Sequence, residues 1–358
     1  MAGNAMKVGL ILYKWEVTNT IGSGMLRYIY EIYNRIASES GTSVKLIEPI
    51  GNRIAARFVG NGLSWVFGNP FVDLSKFNIV HDLNFYRMPI TARKGSVVIV
   101  STAHDFIYIT HPDIVLRDGN SLKERIWLKA IIGITLKTSF MSDYIIADST
   151  LTRDDAVSLG YHRKRTFVVN LGVDKRFLCR TTDKVPGNTY KVGYIGSLGY
   201  KKNVGMAIDA FNQIEGHGIK LYIHGKHKYQ YEVLRDAAGR NKNIAFMGFV
   251  PEEKLVETYD GFDAFVFPTL HEGFGLPILE AQTRGLPVII YKKAQIAAEV
   301  RKYCLEAEDE AHMAQILQDL RDNGYNEKRR KEATEYAKGF TWERTAEETI
   351  DIYNKICK

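Results

Sequence analysis

The sequence predicts an α/β protein built as two doubly wound, parallel-sheet domains. Three observations carry that prediction. Short apolar runs alternate with helical patterns along the whole chain, as parallel sheets covered by helices require. The 358 residues suffice for two domains of ordinary size. A polar stretch from Thr181 to Thr189, holding Pro186 and Gly187, precedes a fresh apolar run, as a linker does. The expected domains are 1–182 and 190–338, with a last segment 339–358.

The elements follow in order. In the first half, strands are expected at 7–13, 44–50, 78–83, 97–103, 144–148 and 166–170, each a short run rich in Val, Ile and Leu. The turn Ile21-Gly22-Ser23-Gly24-Met25 follows the first strand and opens a helix. It has no third glycine at dinucleotide spacing and no acidic ribose partner, so a nicotinamide site is not expected. His81 and His104 close two strands, where an imidazole can hydrogen-bond a ligand or move a proton. Residues 122–141 mix Trp127 and Ile131 with Lys123, Arg125, Lys129 and Lys137. Such a basic amphipathic helix can lie on a membrane, although packing on its own sheet is the commoner use. Ser149 after the 144–148 strand is placed to cap a helix.

In the second half, strands are expected at 191–196, 220–224, 244–249, 264–268 and 287–291. The first ends at Gly196, its loop carries Lys201 and Lys202, and Asn203 is a candidate N-cap. A lysine beside glycine backbone can neutralise a diphosphate and stabilise it as it leaves. The fourth, Ala264-Phe265-Val266-Phe267, runs into His271-Glu272-Gly273-Phe274-Gly275-Leu276-Pro277 and a helix holding Glu280. Strand, glycine turn and helix N-terminus form an anion site. Glu272 in the turn and Glu280 two turns into the helix add acceptors for hydroxyls. Backbone donors for phosphate beside two carboxylates for hydroxyls suit a nucleotide sugar.

Composition excludes other classes. With 45% hydrophobic and 25% charged residues the chain reads as a globular, soluble protein. No apolar run approaches the ~18 residues of a membrane span, and 8–13 is too short for a signal-peptide core, so cytoplasmic residence is expected. Three scattered cysteines, Cys179, Cys304 and Cys357, imply neither disulfides nor zinc. The net charge of +7 is uneven: residues 1–170 hold 20 Lys/Arg against 14 Asp/Glu, the rest 28 against 27. A basic first half suits peripheral contact with an anionic membrane or a phosphate-bearing acceptor. No clustered basic–aromatic face supports nucleic acid as a partner.

The string from His271 to Ala281 resembles the glutamate-x7-glutamate motif of retaining glycosyltransferases, in particular family 4 of the two-Rossmann-domain (GT-B) class. Val192 to Asn203 resembles that family's phosphate loop, with Lys202 at the lysine position and Ser197 where many members place arginine. Similar correspondences hold for the first glycine loop, for His104-Asp105-Phe106, for Tyr144 to Thr150, for Asn170-Leu171-Gly172-Val173-Asp174 with Leu171 inserted, and for the last helix from Trp342, which in the family returns to the first domain.

The resemblance implies two Rossmann-like domains facing across a cleft and transfer of a sugar from a nucleotide-diphospho-sugar to a glycan, lipid-linked or protein acceptor. It implies no cofactor and no metal, in keeping with the lack of an Asp-x-Asp pair. Catalysis falls to His104, Asp105, Lys202 and Glu272. Donor binding falls to Gly22, Gly24, Gly196, Ser197, Lys201, Lys202, Phe249, Val250, Glu272, Gly273, Phe274, Gly275, Leu276 and Glu280. Two other expectations stand beside this one: a GT-B hydrolase or epimerase, and a protein that only binds nucleotide sugars.

Overall fold

The computed structural model describes residues 6–11, 24–38, 42–48, 66–67, 76–83, 96–117, 126, 142–178, 188–214, 216, 218–226 and 230–357. Expectations for residues 12–13, Gly22, Ser23, 49–50, 181–187 and nearly all of 122–141 lie outside them. The chain forms two compact units. One comprises Met1–Phe106, Leu122–Gly172 and Trp342–Lys358, the other Ile107–Ser121 and Val173–Thr341.

The first unit holds a parallel sheet of β1 (Met6–Ile11), β2 (Thr42–Glu48), β3 (Val66–Phe67), β4 (Ile79–Asp82), β5 (Val98–Ala103), β6 (Tyr144–Ala147) and β7 (Thr166–Val168). Their order is β3-β2-β1-β4-β5-β6-β7, the doubly wound order with one added strand. The central strands bury nearly every side chain, as a sheet covered on both faces does: Val8, Leu10, Ile79, Val80, Ile99 and Val100 are all inaccessible. Helix Gly24–Ser38 buries Tyr28, Ile32 and Ile36, spaced four apart along one stripe. Helix Trp342–Ile356 buries Trp342, Ala346, Thr349 and Tyr353 on its own stripe and packs beside it, with Arg35 Nη2 donating to Glu343 Oε1 at 2.9 Å.

In the second unit the sheet is made of β8 (Tyr190–Ile195), β9 (Ile219–His224), β10 (Ile244–Gly248), β11 (Ala264–Phe267), β13 (Val288–Tyr291) and β15 (Leu305–Ala307), in the order β10-β9-β8-β11-β13-β15. β12 (His271–Glu272) and β14 (Gln295–Ile296) pair as a separate short parallel ladder. Its core is aromatic: Tyr194, Tyr259, Phe265 and Phe267 are buried, and Phe265 and Phe267 stack at 6.1 Å. Residues 107–121 belong here rather than with the span 1–182, because His111 and Arg117 anchor on this unit, as described below.

Candidate functional site

The strand order of the second unit reverses between β8 and β11, which lie side by side in parallel with Ala264 opposite Val192. A doubly wound sheet leaves its ligand crevice beyond the strand ends at such a point. Both lysines and Glu272 come from the loops leaving these two strands. Backbone and side-chain bonds lace the loops together: Leu270 N–H donates to Lys201 O at 2.8 Å and Thr269 Oγ1 to the same oxygen at 3.1 Å. Asn203 Nδ2 donates to Pro268 O at 3.1 Å. Asn203 stands at the expected N-cap position but makes no capping bond. Asn203 adopts a left-handed backbone, φ 50°, and its amide turns to the neighbouring loop instead of capping helix Val204–Gln213.

Lys202 Nζ donates to Glu272 Oε1, and Thr269 Oγ1 donates to the same carboxylate oxygen at 2.8 Å. The two side chains are only 18% and 12% exposed, so the pair is shielded from water. Burial alone would push the Glu272 carboxyl upward. The charges of Lys202 and Lys201, with the bonds from Lys202 and Thr269, outweigh it and hold the group below its ordinary value. Glu272 is therefore a carboxylate at neutral pH. It sits not in an open turn but in β12, where pairing of His271 with Gln295 and of Glu272 with Ile296 fixes its direction.

The expected donor residues of the second unit have the following places, while Gly22 lies outside the described residues and Gly24 belongs to the first unit. Gly196 cannot offer its N–H to phosphate, because that group donates to His224 O at 3.0 Å. Its lack of a side chain matters instead: a Cβ there would lie 2.7 Å from the hydroxyl oxygen of Tyr194, which donates to Ser197 O at 2.6 Å and holds the turn. Gly273, Phe274 and Gly275 lead from Glu272 into helix Leu276–Thr283. Phe274 is a core residue, edge-on to Phe340 at 5.9 Å. Gly275 has φ 105°, which side-chain-bearing residues rarely adopt, and so needs to be glycine. Leu276 is buried. Glu280 is buried in the same helix and accepts from the Tyr259 hydroxyl at 2.9 Å. Phe249 and Val250 follow β10, the edge strand, which stands about 10 Å from β8 by strand spacing. The Phe249 ring is half exposed, with Lys226 Nζ 4.8 Å from its centre.

The first unit carries the two histidines. His81 is inaccessible, with Tyr353 Oη 2.5 Å from Nδ1 and Thr102 Oγ1 2.7 Å from Nε2, and burial lowers its pKa to about 3. It is a neutral structural link. His104 closes β5. Its Nε2 bonds Leu83 O at 3.1 Å, and since a carbonyl only accepts, Nε2 carries a proton. Its Nδ1 lies 3.7 Å from Asp148 Oδ2, and the Tyr28 ring meets its ring edge-on at 4.9 Å. Burial would lower the His104 pKa; Asp148, the Leu83 carbonyl and Asp105 together raise it. Asp148 is pushed by burial up to about 6, against the pull of His104 and Thr152. Both nitrogens of His104 thus face groups of its own unit. Ser149 caps helix Thr150–Ser158 by accepting from Thr152 N–H at 3.1 Å. Gly24 is the first residue of its helix.

Residue reasoning missed Thr269, Tyr259 and Asp148, the groups that aim Glu272, Glu280 and His104. Asp148 had a visible signal, a carboxylate closing a buried strand one residue before a cap. Tyr259 and Thr269 had none, because their roles appear only when separate strands meet.

The family described as glycosyl transferases group 1 matches residues 180–340, the span that holds Lys202, Glu272 and Glu280. O-antigen chain mannosyltransferase B of Escherichia coli is 27% identical over 296 residues, covering 78% of this chain and 74% of its own. Among solved structures, a glycosyltransferase from Rickettsia africae ESF-5 superposes with a TM-score of 0.72 at 13% identity, covering 99% of each chain. Anabaena HepE, solved with UDP and glucose, superposes with a TM-score of 0.69 at 14% identity over 98% of this chain and all of its own. The fold is that of the GT-B class.

Proposed function

We propose that this chain, whose residues 180–340 form a group 1 glycosyltransferase domain, is a metal-independent retaining hexosyltransferase that moves a sugar from a nucleotide-diphospho-sugar to a glycan acceptor. One observation carries the reading: a shielded Lys202–Glu272 pair at the point where the donor unit's strand order reverses. A cation and a carboxylate held together there divide the labour. Lys202 meets the departing diphosphate, whose charge grows as the glycosidic bond breaks. Glu272, with the backbone of Gly273 to Gly275, holds hydroxyls of the donor sugar. Glu280, aimed by Tyr259, holds the ribose. The nucleobase lies toward Phe249 and Val250, a strand spacing or two from the reacting bond.

From the first unit we assign His104, with Asp105, to the reacting centre, as the resemblance implies. The Leu83 carbonyl and Asp148 would fix its ring and charge before any ligand binds. Among the described residues no side chain is placed as an evident nucleophile, which favours front-face attack, the acceptor hydroxyl entering on the side the diphosphate leaves. The matched relative named as an O-antigen chain mannosyltransferase supports a glycan acceptor and puts GDP-mannose first among donors to try. The basic first half supports work at an anionic membrane surface, with a lipid-linked or protein-linked glycan as the acceptor's carrier.

The test is a thermal-shift panel of GDP-, UDP-, ADP- and dTDP-sugars, with Lys202→Ala and Glu272→Ala beside the wild type. One nucleotide sugar should raise the wild-type melting temperature and neither variant's. Released nucleotide should then follow when a glycan acceptor is added. Binding with no turnover on any acceptor would favour a binding-only protein, and release without acceptor a hydrolase.

A further inference from the structure

We propose that Arg117 is a second cation of the donor site and contacts the diphosphate directly; this rests on the donor reading above. The first ground is location. Residues Ile107–Ser121 follow β5 of the first unit in sequence yet belong to the second unit. Two short helices, Ile107–Thr110 and Pro112–Leu116, bring the segment onto that unit at two anchors. At one, the His111 ring lies 5.3 Å from that of His271, and Gln295 Nε2 donates to His111 Nε2 at 3.0 Å. At the other, the Arg117 guanidinium stacks on the Tyr200 ring, 4.6 Å from its centre, and donates to the Tyr200 hydroxyl. His271 immediately precedes Glu272, and Tyr200 begins the short turn Tyr200–Lys202. The segment is thus fastened beside both members of the ion pair.

The second ground is charge. A diphosphate diester carries two negative charges at neutral pH, and the departing nucleotide gains a third. Lys202 cannot meet that demand alone, because Glu272 already neutralises it. Lys201 also acts on Glu272. The arginines of this unit that bond carboxylates are committed elsewhere: Arg176 to Asp174 and Glu252, Arg284 to Asp260, Arg301 to Glu306, Arg321 to Asp322 and Arg330 to Glu327. Arg117 is different. Among the described residues it has no carboxylate partner and bonds only a neutral hydroxyl, which leaves its other N–H groups without a described protein acceptor and available to a ligand. An arginine pre-set on an aromatic face loses little freedom on binding and presents a fork that matches phosphate oxygens. Sequence reasoning gave it no role, since 83 residues separate Arg117 from Tyr200.

The experiment compares affinities for UDP, GDP, ADP and dTDP, and for the nucleoside of whichever binds, in wild type, Arg117→Ala, Arg117→Glu, Arg117→Lys and Lys202→Ala, all checked for unchanged melting temperature. Arg117→Ala should weaken the diphosphate about 10- to 100-fold and the nucleoside hardly at all. Arg117→Glu should weaken the diphosphate further, and Arg117→Lys should recover part of the loss. Equal affinities in the Ala and Glu variants, or parallel loss of the nucleoside, would make Arg117 a packing residue of the turn and overturn the proposal. If Lys202→Ala loses the diphosphate while the Arg117 variants keep it, only this inference falls. Wild type that binds none of the four removes the donor reading and this inference together.

Discussion

At the residue scale the first unit is tuned by three buried groups. His81 is neutral between Tyr353 and Thr102, so the unfolded chain binds its proton more readily. Stability from His81 is present above the ordinary histidine pKa and is lost as pH falls toward about 3, at about 1.4 kcal/mol per pH unit. Asp148, raised from 3.8 to about 6, holds a proton in the fold between those values and there offsets the His81 loss at the same rate, so the net acid-side loss falls between about 6 and 6.5 and again below 3.8. His104 is raised as well, so its contribution is complete below the ordinary histidine value and fades as pH rises through its folded value. Together these put maximum stability near about pH 6.5. Urea midpoints measured from pH 4 to 9 should peak there. His81→Gln should be less stable at pH 7 and, with Asp148 no longer opposed, should gain stability as pH falls from about 6 toward 4; an unchanged profile would assign the acid response to other groups. The place of His104 at a strand end was legible in the sequence. The commitment of both its nitrogens was not, because Leu83 and Asp148 reach it only through strand pairing.

At the element scale, long buried strands were legible and, apart from the three-residue β7, the shortest were not. β1, β5, β8 and β11 announce themselves by runs such as Val98-Ile99-Val100 or Ala264-Phe265-Val266-Phe267. β3, β12, β14 and β15 have two or three residues each, too few for any periodicity, and pairing alone defines them. One of these, β12, holds Glu272, so the motif was readable while the device that orients it was not. Two substitutions probe how the elements hold the site. Gly225→Ala would put a Cβ 2.5 Å from Gly196 O, a backbone atom that cannot swing aside. It should cost about 3 kcal/mol in urea unfolding and weaken nucleotide binding, because the turn after β8 must shift. Tyr259→Phe removes the hydroxyl that meets Glu280. A buried carboxylate that loses a donor should cost about 1–3 kcal/mol, and the donor KM should rise more than kcat falls. A KM unchanged with the full stability loss would make Glu280 a structural group only.

At the scale of the whole molecule, neither unit is a continuous stretch of chain. The last helix supplies Trp342, Ile352 and Tyr353 to the core of the first unit, although β7 ended long before it. Ending the chain after Thr341 would expose that core and strip His81 of its tyrosine. Limited proteolysis of such a truncation should cut within 6–172 and spare 188–341; equal resistance of both spans would show the helix to be dispensable. The two-domain plan and its doubly wound sheets were legible from alternation and length. The transfer of 107–121 to the second unit was not, since it depends on an arginine finding a tyrosine far along the chain.

This interleaving sets an order of events during synthesis. All seven described strands of the first sheet emerge before Val173, but the helix that closes their core emerges after Thr341. At about 5–20 residues per second, the ribosome needs roughly 10–30 s to cover that interval. Throughout it the nascent first unit shows the apolar face that Trp342 and Tyr353 will cover, while the second unit, already furnished with residues 107–121, can complete itself. The part of the chain made first is the part finished last, and it is the part that a holding chaperone would protect.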